Sequence, residues 1–148
     1  MMKLFGLRNR ALKKFGIDLL STDNSRKLLV SKILPEFSPR FKRNGADGLL
    51  NGCEVELKTS KTEKNDANFM FHVMGDIIHN QYLLTILDDM LNIRRHYIIN
   101  QPKPIAATNH LLQKKKIQYL AEHGGKVAKR DIITITENEV IDILKANE

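Results

Sequence analysis

The sequence predicts an α/β fold in which a central mixed β-sheet is flanked by helices. Two observations support this fold class. Apolar residues recur at helical spacing in some segments and cluster in short strand-like runs in others, and an Asn-Gly dipeptide joins two of the short runs. The chain has 148 residues, of which 42% are hydrophobic, so it can bury one core. Because no repeat, low-complexity tract or linker interrupts it, we expect a single domain over 1–148.

The first predicted helix is basic and amphipathic. Over 3–15, leucines and a phenylalanine recur near helical spacing with arginines and lysines between them, and Gly16 ends the pattern. Polar residues within 17–24 then indicate a turn and a helix cap. The apolar side of this N-terminal segment, residues 1–24, is a candidate for a contact between two copies of the chain.

A second helix is expected over about 25–34. Pro35 stops it, because proline lacks the N–H that would continue the helix. The basic stretch from 35 to 44 is expected to be irregular. The apolar side of the second helix is expected to consist of Leu28, Leu29, Ile33 and Leu34.

The next segment contains a tight hairpin turn. Asn51-Gly52 is the dipeptide most typical of a two-residue β-turn, because both central positions need a positive φ. We predict strands at about 46–50 and 53–59 on either side of it. The single cysteine, Cys53, lies among the strand residues, where we expect a buried thiol, and the lack of a partner for a disulfide fits a reducing compartment.

The middle of the chain is harder to assign. Residues 60–73 are polar and then aromatic, which suggests a long, mobile loop. The apolar segment after it fits one helix followed by a strand at 95–99. It also fits a short helix at 75–80 followed by strands at 82–87 and 92–99, because apolar runs this short do not settle the period. We favour the second interpretation.

The C-terminal third is predicted to form a helix, a strand and a helix. Pro102 and Pro104 break the chain, and a helix over about 108–123 follows, ended by two glycines. A strand is expected at 131–135. The last helix runs to about residue 146, and its start is marked by the capping-box pair Thr136 and Glu139.

The charge balance indicates a polyanionic partner. The net charge is +7 and the pI is about 9.6, and nucleic acid is the commonest partner of a basic domain. The N-terminus lacks the continuous apolar run of a secretory signal, and no stretch approaches the roughly 20 apolar residues of a spanning helix. We therefore expect a cytoplasmic protein that binds no membrane.

The hairpin predicts a pair of facing carboxylates. Counting outward from the Asn51-Gly52 turn places Asp47 opposite Glu56, and directly opposed side chains point to the same face of a sheet. Like charges in this arrangement are destabilising unless something neutralises them. A divalent cation is the natural candidate, since carboxylate oxygens are the hard ligands that Mg²⁺ prefers.

A lysine is expected beside the two carboxylates. Strand side chains alternate, so Lys58 shares a face with Glu56 while Val55 and Leu57 point to the core. An ammonium there can stabilise charge on a phosphate or act on the attacking water. Asp47, Glu56 and Lys58 therefore predict metal-dependent phosphodiester hydrolysis, with Mg²⁺ as the cofactor and Mn²⁺ as a substitute.

At these residues the chain resembles the PD-(D/E)XK nuclease superfamily, and more closely the PvuII-type restriction endonucleases. The resemblance is densest over 44–60, where Glu54, Glu56, Leu57 and Lys58 carry the motif, and weaker through the apolar segment 76–87. It implies a restriction-endonuclease-like fold and a homodimer with one site per DNA strand. We expect the metal ligands to be Asp47, Glu56 and Leu57, and Lys58 to act on the water.

The chain also departs from that family. The proline that the superfamily has before the acid is absent, and Ala46 stands there. The PvuII type also lacks this proline, but here Asp47 lies one residue closer to the motif than the acid does in that type. That spacing implies a shorter hairpin or an offset Asp47. The PvuII type has a cluster of histidines in its base-reading loop, and only His72 remains of that cluster here. The alternative interpretation of His72 is a packed core residue. The residues expected to contact DNA are Lys61, Lys64, Asn65, Asn68, His72, Arg94 and Arg95.

These expectations amount to a sequence-specific endonuclease acting on double-stranded DNA. Its catalytic core would span 25–100, followed by the C-terminal helix-strand-helix over 101–148. Two alternatives stay open: a Holliday-junction resolvase or repair nuclease of the same superfamily, and a non-catalytic nucleic-acid-binding domain in which Asp47 and Glu56 are surface charges.

Overall fold

The structure is a computed structural model that describes residues 22–41, 46–75 and 78–147. The predicted N-terminal helix over 3–15, and the contact between chains assigned to it, lie outside these residues. In chain order the elements are α1 (Thr22–Ile33), β1 (Phe37–Pro39), β2 (Gly48–Leu50), β3 (Cys53–Lys61), β4 (Asn68–His72), β5 (Tyr82–Leu87), β6 (Ile93–Ile99), α2 (Pro102–Glu122), β7 (Ile132–Thr136) and α3 (Glu137–Ala146).

Five strands form one mixed sheet in the order β1-β2-β3-β5-β6, and β4 pairs with β7 in a separate two-stranded sheet. The pairs β1–β2, β2–β3 and β5–β6 are antiparallel. The α/β class and the mixed sheet are therefore confirmed. The chain divides into two compact units, one reaching to Leu57 and the other comprising Lys58–Glu148.

In the first unit, α1 begins earlier than predicted and turns a different face inward. Its helix starts at Thr22, where the sequence suggested a turn. The buried positions are Lys27, Val30 and Leu34, whereas Ile33 is 49% exposed, so the predicted apolar side is partly wrong. The buried set has the i, i+3, i+7 spacing of one helix face, and it includes a charged residue.

Strand β1 lies in the stretch that was predicted to be irregular. Phe37 is buried and pairs with Leu50, and Pro39 pairs with Gly48. A proline is tolerated here because β1 is the edge strand of the sheet. Three residues are too few to show an alternating pattern, so no local pattern indicated this strand.

In the second unit, the predicted loop at 60–73 is wrong at both ends, and only residues 62–67 and 73 are irregular. Strand β3 continues to Lys61, and Asn68–His72 form β4. Phe69 and Phe71 are buried while the residues between and beside them are exposed. This is the period-2 pattern of a half-buried strand, and it follows directly on a polar run that obscured it.

The two strands favoured for 82–87 and 92–99 are confirmed as β5 and β6. The short helix expected before them is wrong for the described residues of 75–80, which are not helical. Helix α2 begins at Pro102 rather than near 108, because proline is well tolerated in the first turn. Strand β7 and the capping box that starts α3 are confirmed.

The second unit buries an apolar cluster between β4–β7, β5–β6 and the helices α2 and α3. Strand β5 is buried along its whole length. None of the described helices combines the length and the apolar character needed to cross a bilayer. The buried members of the cluster are Ala67, Phe69, Phe71, Val73, Tyr82, Leu84, Ile86, Ile99, Leu112, Ile133, Ile135 and Val140.

Candidate active site

The hairpin between β2 and β3 has the predicted register. Leu50 pairs with Cys53, Leu49 with Glu54 and Gly48 with Val55. Asn51 has φ 50° and Gly52 has φ 82°, the two positive values that this two-residue turn requires. Cys53 is exposed beside the turn, so the expectation of a buried thiol is wrong.

Gly48 fixes the start of β2 against β1. A Cβ atom at this position would lie 2.4 Å from the Ser38 carbonyl oxygen and 2.6 Å from the Phe37 ring. Only glycine allows this close approach of two strands. The pairing continues through the Arg40 N–H, which donates to the Asp47 carbonyl at 2.8 Å. The close contact thus sets where the backbone of Asp47 lies.

The Asp47 carboxylate points at the backbone of β3. Its Oδ2 accepts a hydrogen bond from the Leu57 N–H at 2.9 Å, and that N–H belongs to the peptide joining Glu56 to Leu57. Strand β2 begins at Gly48, so the ladder stops one residue short of the predicted pair of Asp47 and Glu56. The side chain is 19% exposed, so it is only partly buried.

A buried lysine accompanies this carboxylate, and sequence reasoning missed it. The Lys27 Nζ lies 3.6 Å from Oδ1 of Asp47, and the lysine side chain is only 4% exposed. Lysine is almost never fully buried unless it is paired. The available signal was its position on α1, three residues before Val30 and seven before Leu34, which places a cation on the buried face.

Side chains along β3 alternate as predicted. Val55 and Leu57 are buried, whereas Glu54 is exposed and Glu56 is half-buried. Glu54 is paired with Arg40, whose Nη1 donates to Oε1 at 3.3 Å. The Leu57 side chain has no ligand atom, so only its backbone carbonyl oxygen can bind a metal.

Lys58 opens the second unit, as the next alternate residue after Glu56 on β3. Its Nζ lies 4.7 Å from the centroid of the Phe71 ring, within the range of a cation–π contact. The buried hydroxyl of Thr85 contacts the backbone carbonyl of Lys58 at 3.4 Å and Oγ1 of Thr59 at 3.0 Å. The lysine is half-buried, and its ammonium lies over an aromatic ring.

Two arginines expected to contact DNA hold the segment between β3 and β4. Arg94 Nη1 donates to the carbonyls of Thr62 at 2.9 Å and Lys64 at 3.1 Å. Arg95 donates to the Lys64 carbonyl at 3.2 Å and forms an ion pair with Glu137. Both guanidinium groups therefore have structural partners, and a contact of either with DNA stays a prediction.

Glu137 is the centre of a buried polar network. Its carboxylate accepts two hydrogen bonds from Arg95, at 2.6 and 2.8 Å, one from the Ala67 N–H at 3.2 Å and one from the Tyr97 hydroxyl. The residue is 1% exposed. The hydrogen bonds from Arg95 outweigh burial and lower the pKa of Glu137 to about 2. Burial, and then the bond to Glu137, raises the pKa of Tyr97.

The ribbon formed by β4 and β7 has one buried and one exposed face. Asn68, Met70 and His72 are exposed on β4, and His72 pairs with Ile132 of β7. The interpretation of His72 as a packed core residue is therefore wrong. The remaining predicted DNA contacts, Lys61, Lys64 and Asn65, are also exposed.

Among the residues described, no three or more His, Cys, Asp and Glu side chains form a group that could hold a metal ion. Two carboxylates on one hairpin are still compatible with Mg²⁺, which keeps several waters and often uses only one or two protein carboxylates. The donor set of Asp47, Glu56 and the Leu57 carbonyl consists of hard oxygens, which suits this ion.

Searches of the chain against protein-family models and against curated protein sequences find no match.

Proposed function

We propose that this protein is a Mg²⁺-dependent endonuclease of the PD-(D/E)XK type that hydrolyses phosphodiester bonds in double-stranded DNA. The observation that carries the proposal is the hydrogen bond from the Leu57 N–H to the Asp47 carboxylate, at 2.9 Å. This bond holds the carboxylate beside the peptide that joins Glu56 to Leu57. The strand that supplies that N–H continues with Lys58. The acid, the hairpin and the Glu-x-Lys motif are the features on which the proposal depends.

In this proposal Asp47, Glu56 and the Leu57 carbonyl hold the metal. A bound Mg²⁺ would act as a Lewis acid toward the scissile phosphate and would lower the pKa of water. The Leu57 N–H keeps the Asp47 carboxylate in one orientation, so little reorganisation is needed when the substrate binds. The Lys58 ammonium stabilises the negative charge that develops on the phosphoryl oxygens as water attacks phosphorus.

The DNA-binding surface is proposed to include the exposed face of the β4–β7 ribbon. A two-stranded ribbon fits the major groove, and His72 and Asn68 supply groups that can hydrogen-bond base edges. Lys61 and Lys64 would bind phosphates, in keeping with a net charge of +7. A sequence-specific enzyme of this kind would act in the cytoplasm as a homodimer, with one site for each strand.

Plasmid digestion tests the proposal. Supercoiled DNA should be converted to nicked or linear forms with Mg²⁺ and should stay intact when EDTA is added. The variant Lys58→Ala should cut about 10²–10⁴-fold more slowly while binding DNA within a few-fold of wild type, because the ammonium acts in the transition state.

The matched control is Lys103→Ala, which removes the same charge from an exposed position on α2. It should cut at a rate close to wild type. Cleavage that persists in EDTA, or a Lys58→Ala variant as fast as the control, would remove this site from the mechanism.

A further inference from the structure

The buried Lys27 on α1 has no part in the proposed hydrolysis, yet it contacts the carboxylate on which that proposal depends. Its Nζ lies 3.6 Å from Oδ1 of Asp47, while Oδ2 of the same carboxylate accepts the Leu57 N–H. Oδ1 thus faces the positively charged ammonium, and Oδ2 faces the partly positive N–H. A divalent cation that binds Oδ1 must therefore come close to the lysine ammonium.

Stability alone is a poor explanation for this lysine. Burying an ammonium costs several kcal/mol, and a buried ion pair often gains nothing over apolar side chains of similar volume. Val30 and Leu34 show that the same face of α1 otherwise carries apolar residues. An apolar residue could fill this position, and Asp47 is a group on which the retained charge acts, since Nζ lies 3.6 Å from its Oδ1.

We propose that Lys27 is a positioning residue that serves as a built-in counter-ion for Asp47. In the metal-free protein the ammonium neutralises the carboxylate and holds it against the Leu57 N–H. Repulsion between Lys27 and the incoming divalent cation then keeps metal affinity low in the absence of DNA. The phosphates of bound DNA add negative charge, offset that repulsion and raise metal affinity. This inference rests on the proposed metal site at Asp47.

The test is a calorimetric titration of Mn²⁺ into the full-length, DNA-free protein. The variant Lys27→Met keeps the stem of the side chain and removes its charge, so it should bind Mn²⁺ about tenfold more tightly than wild type. A purely structural role predicts the opposite, since a disordered Asp47 binds metal more weakly. Melting curves in EDTA should show Lys27→Met folded.

The matched control is Lys32→Met on the same helix, which removes the same net charge from an exposed position. Its Mn²⁺ affinity should change less than about twofold, because solvent and salt screen an exposed charge. Lys27→Gln, which can still donate to Asp47, provides a second neutral variant if Lys27→Met does not fold, and it should also bind Mn²⁺ more tightly.

The outcomes separate this inference from the proposed function. A wild-type protein that binds no Mn²⁺, with or without plasmid DNA, overturns both. A wild-type protein that binds Mn²⁺, combined with folded Lys27 variants whose affinity is unchanged or weaker, overturns the role of Lys27 and leaves the metal site in place.

Discussion

Two carboxylates in this protein, Glu137 and Asp47, are held in contrasting ways. Glu137 is 1% exposed and accepts hydrogen bonds from Arg95, Tyr97 and the Ala67 N–H. Asp47 is 19% exposed, accepts the Leu57 N–H and faces an ammonium at 3.6 Å. An ionised carboxylate offers about four acceptor positions. Those of Glu137 are occupied by the fold, whereas Asp47 combines a fixed orientation with access from solvent.

The difference shows how the same functional group serves two purposes. A carboxylate whose acceptor positions are all used by the protein has no capacity for a ligand, so it acts as a structural link. A carboxylate that the backbone orients but does not saturate can add a metal ion without losing its own position. Mutation of Glu137 should therefore lower stability without changing metal binding, whereas mutation of Asp47 should weaken metal binding.

The largest expected effect is on stability at Glu137. Glu137→Gln leaves Arg95 without its partner charge inside a network that also holds Ala67, and it should lower the free energy of unfolding by about 3–5 kcal/mol. Urea unfolding at neutral pH measures this loss. Glu122→Gln, on the exposed end of α2, should change it by less than about 0.5 kcal/mol. A loss below about 1 kcal/mol at Glu137 would contradict its structural role.

The pH dependence of stability also tests the role of Glu137, and it leaves Arg95 and Tyr97 unchanged. The pKa of Glu137 is lowered from 4.5 to about 2 by the bonds from Arg95. Because the pKa is lower in the folded protein than in the unfolded chain, the ionised carboxylate stabilises the fold by about 3 kcal/mol at pH values above the unfolded pKa. This contribution is lost as the pH falls through the pKa of the folded protein.

The stability difference between wild type and Glu137→Gln should therefore shrink to about half or less by about pH 3. Urea midpoints of both proteins, measured at several pH values, give that difference. If it stays constant from neutral pH to about pH 3, the low pKa of Glu137 is wrong.

A smaller loss of stability is expected from mutation of Gly48, the residue that follows Asp47 and packs against β1. A Cβ atom there would lie 2.4 Å from the Ser38 carbonyl oxygen, so Gly48→Ala should cost about 1–3 kcal/mol by forcing β1 and β2 apart. Gly52→Ala is the matched control, because nothing lies within 4 Å of its Cβ position and only the positive φ opposes the change. It should cost about 1 kcal/mol.

The two glycine variants also differ in their expected effect on metal. Gly48→Ala displaces the residue next to Asp47 and should weaken Mn²⁺ binding, whereas Gly52→Ala should leave it unchanged. Equal Mn²⁺ affinities in both variants would mean that the contact at Gly48 does not position the carboxylate.

The parts of the fold that could be predicted were those with a local signal. The Asn51-Gly52 turn fixed its own register, and the pairing of Thr136 with Glu139 fixed the start of α3. Strand β4 did carry its alternating pattern, but a polar run in front of it concealed the pattern. Strand β1 is three residues long and is defined by its pairing with β2, which no local sequence pattern reveals.

The candidate site was predicted in its residues but not in its environment. Asp47 and Glu56 follow from counting along the hairpin. The bond from the Leu57 N–H depends on the twist and offset of two strands, and the contact of Lys27 depends on how α1 packs. Both are long-range features. The network around Glu137 likewise joins residues far apart in the chain, so the sequence indicated Arg95 only as a DNA contact and not as the partner of Glu137.

A titration of Mn²⁺ into wild type and Asp47→Asn tests the central claim most directly. Asparagine can still accept the Leu57 N–H but lacks the charge that pairs with the buried Lys27, so the variant should be less stable than wild type. Under conditions where melting curves show it folded, it should lose Mn²⁺ affinity by about tenfold or more. Glu137→Gln, examined where it is still folded, should bind Mn²⁺ as wild type does. Identical isotherms for wild type and folded Asp47→Asn would contradict the claim that Asp47 is a metal ligand.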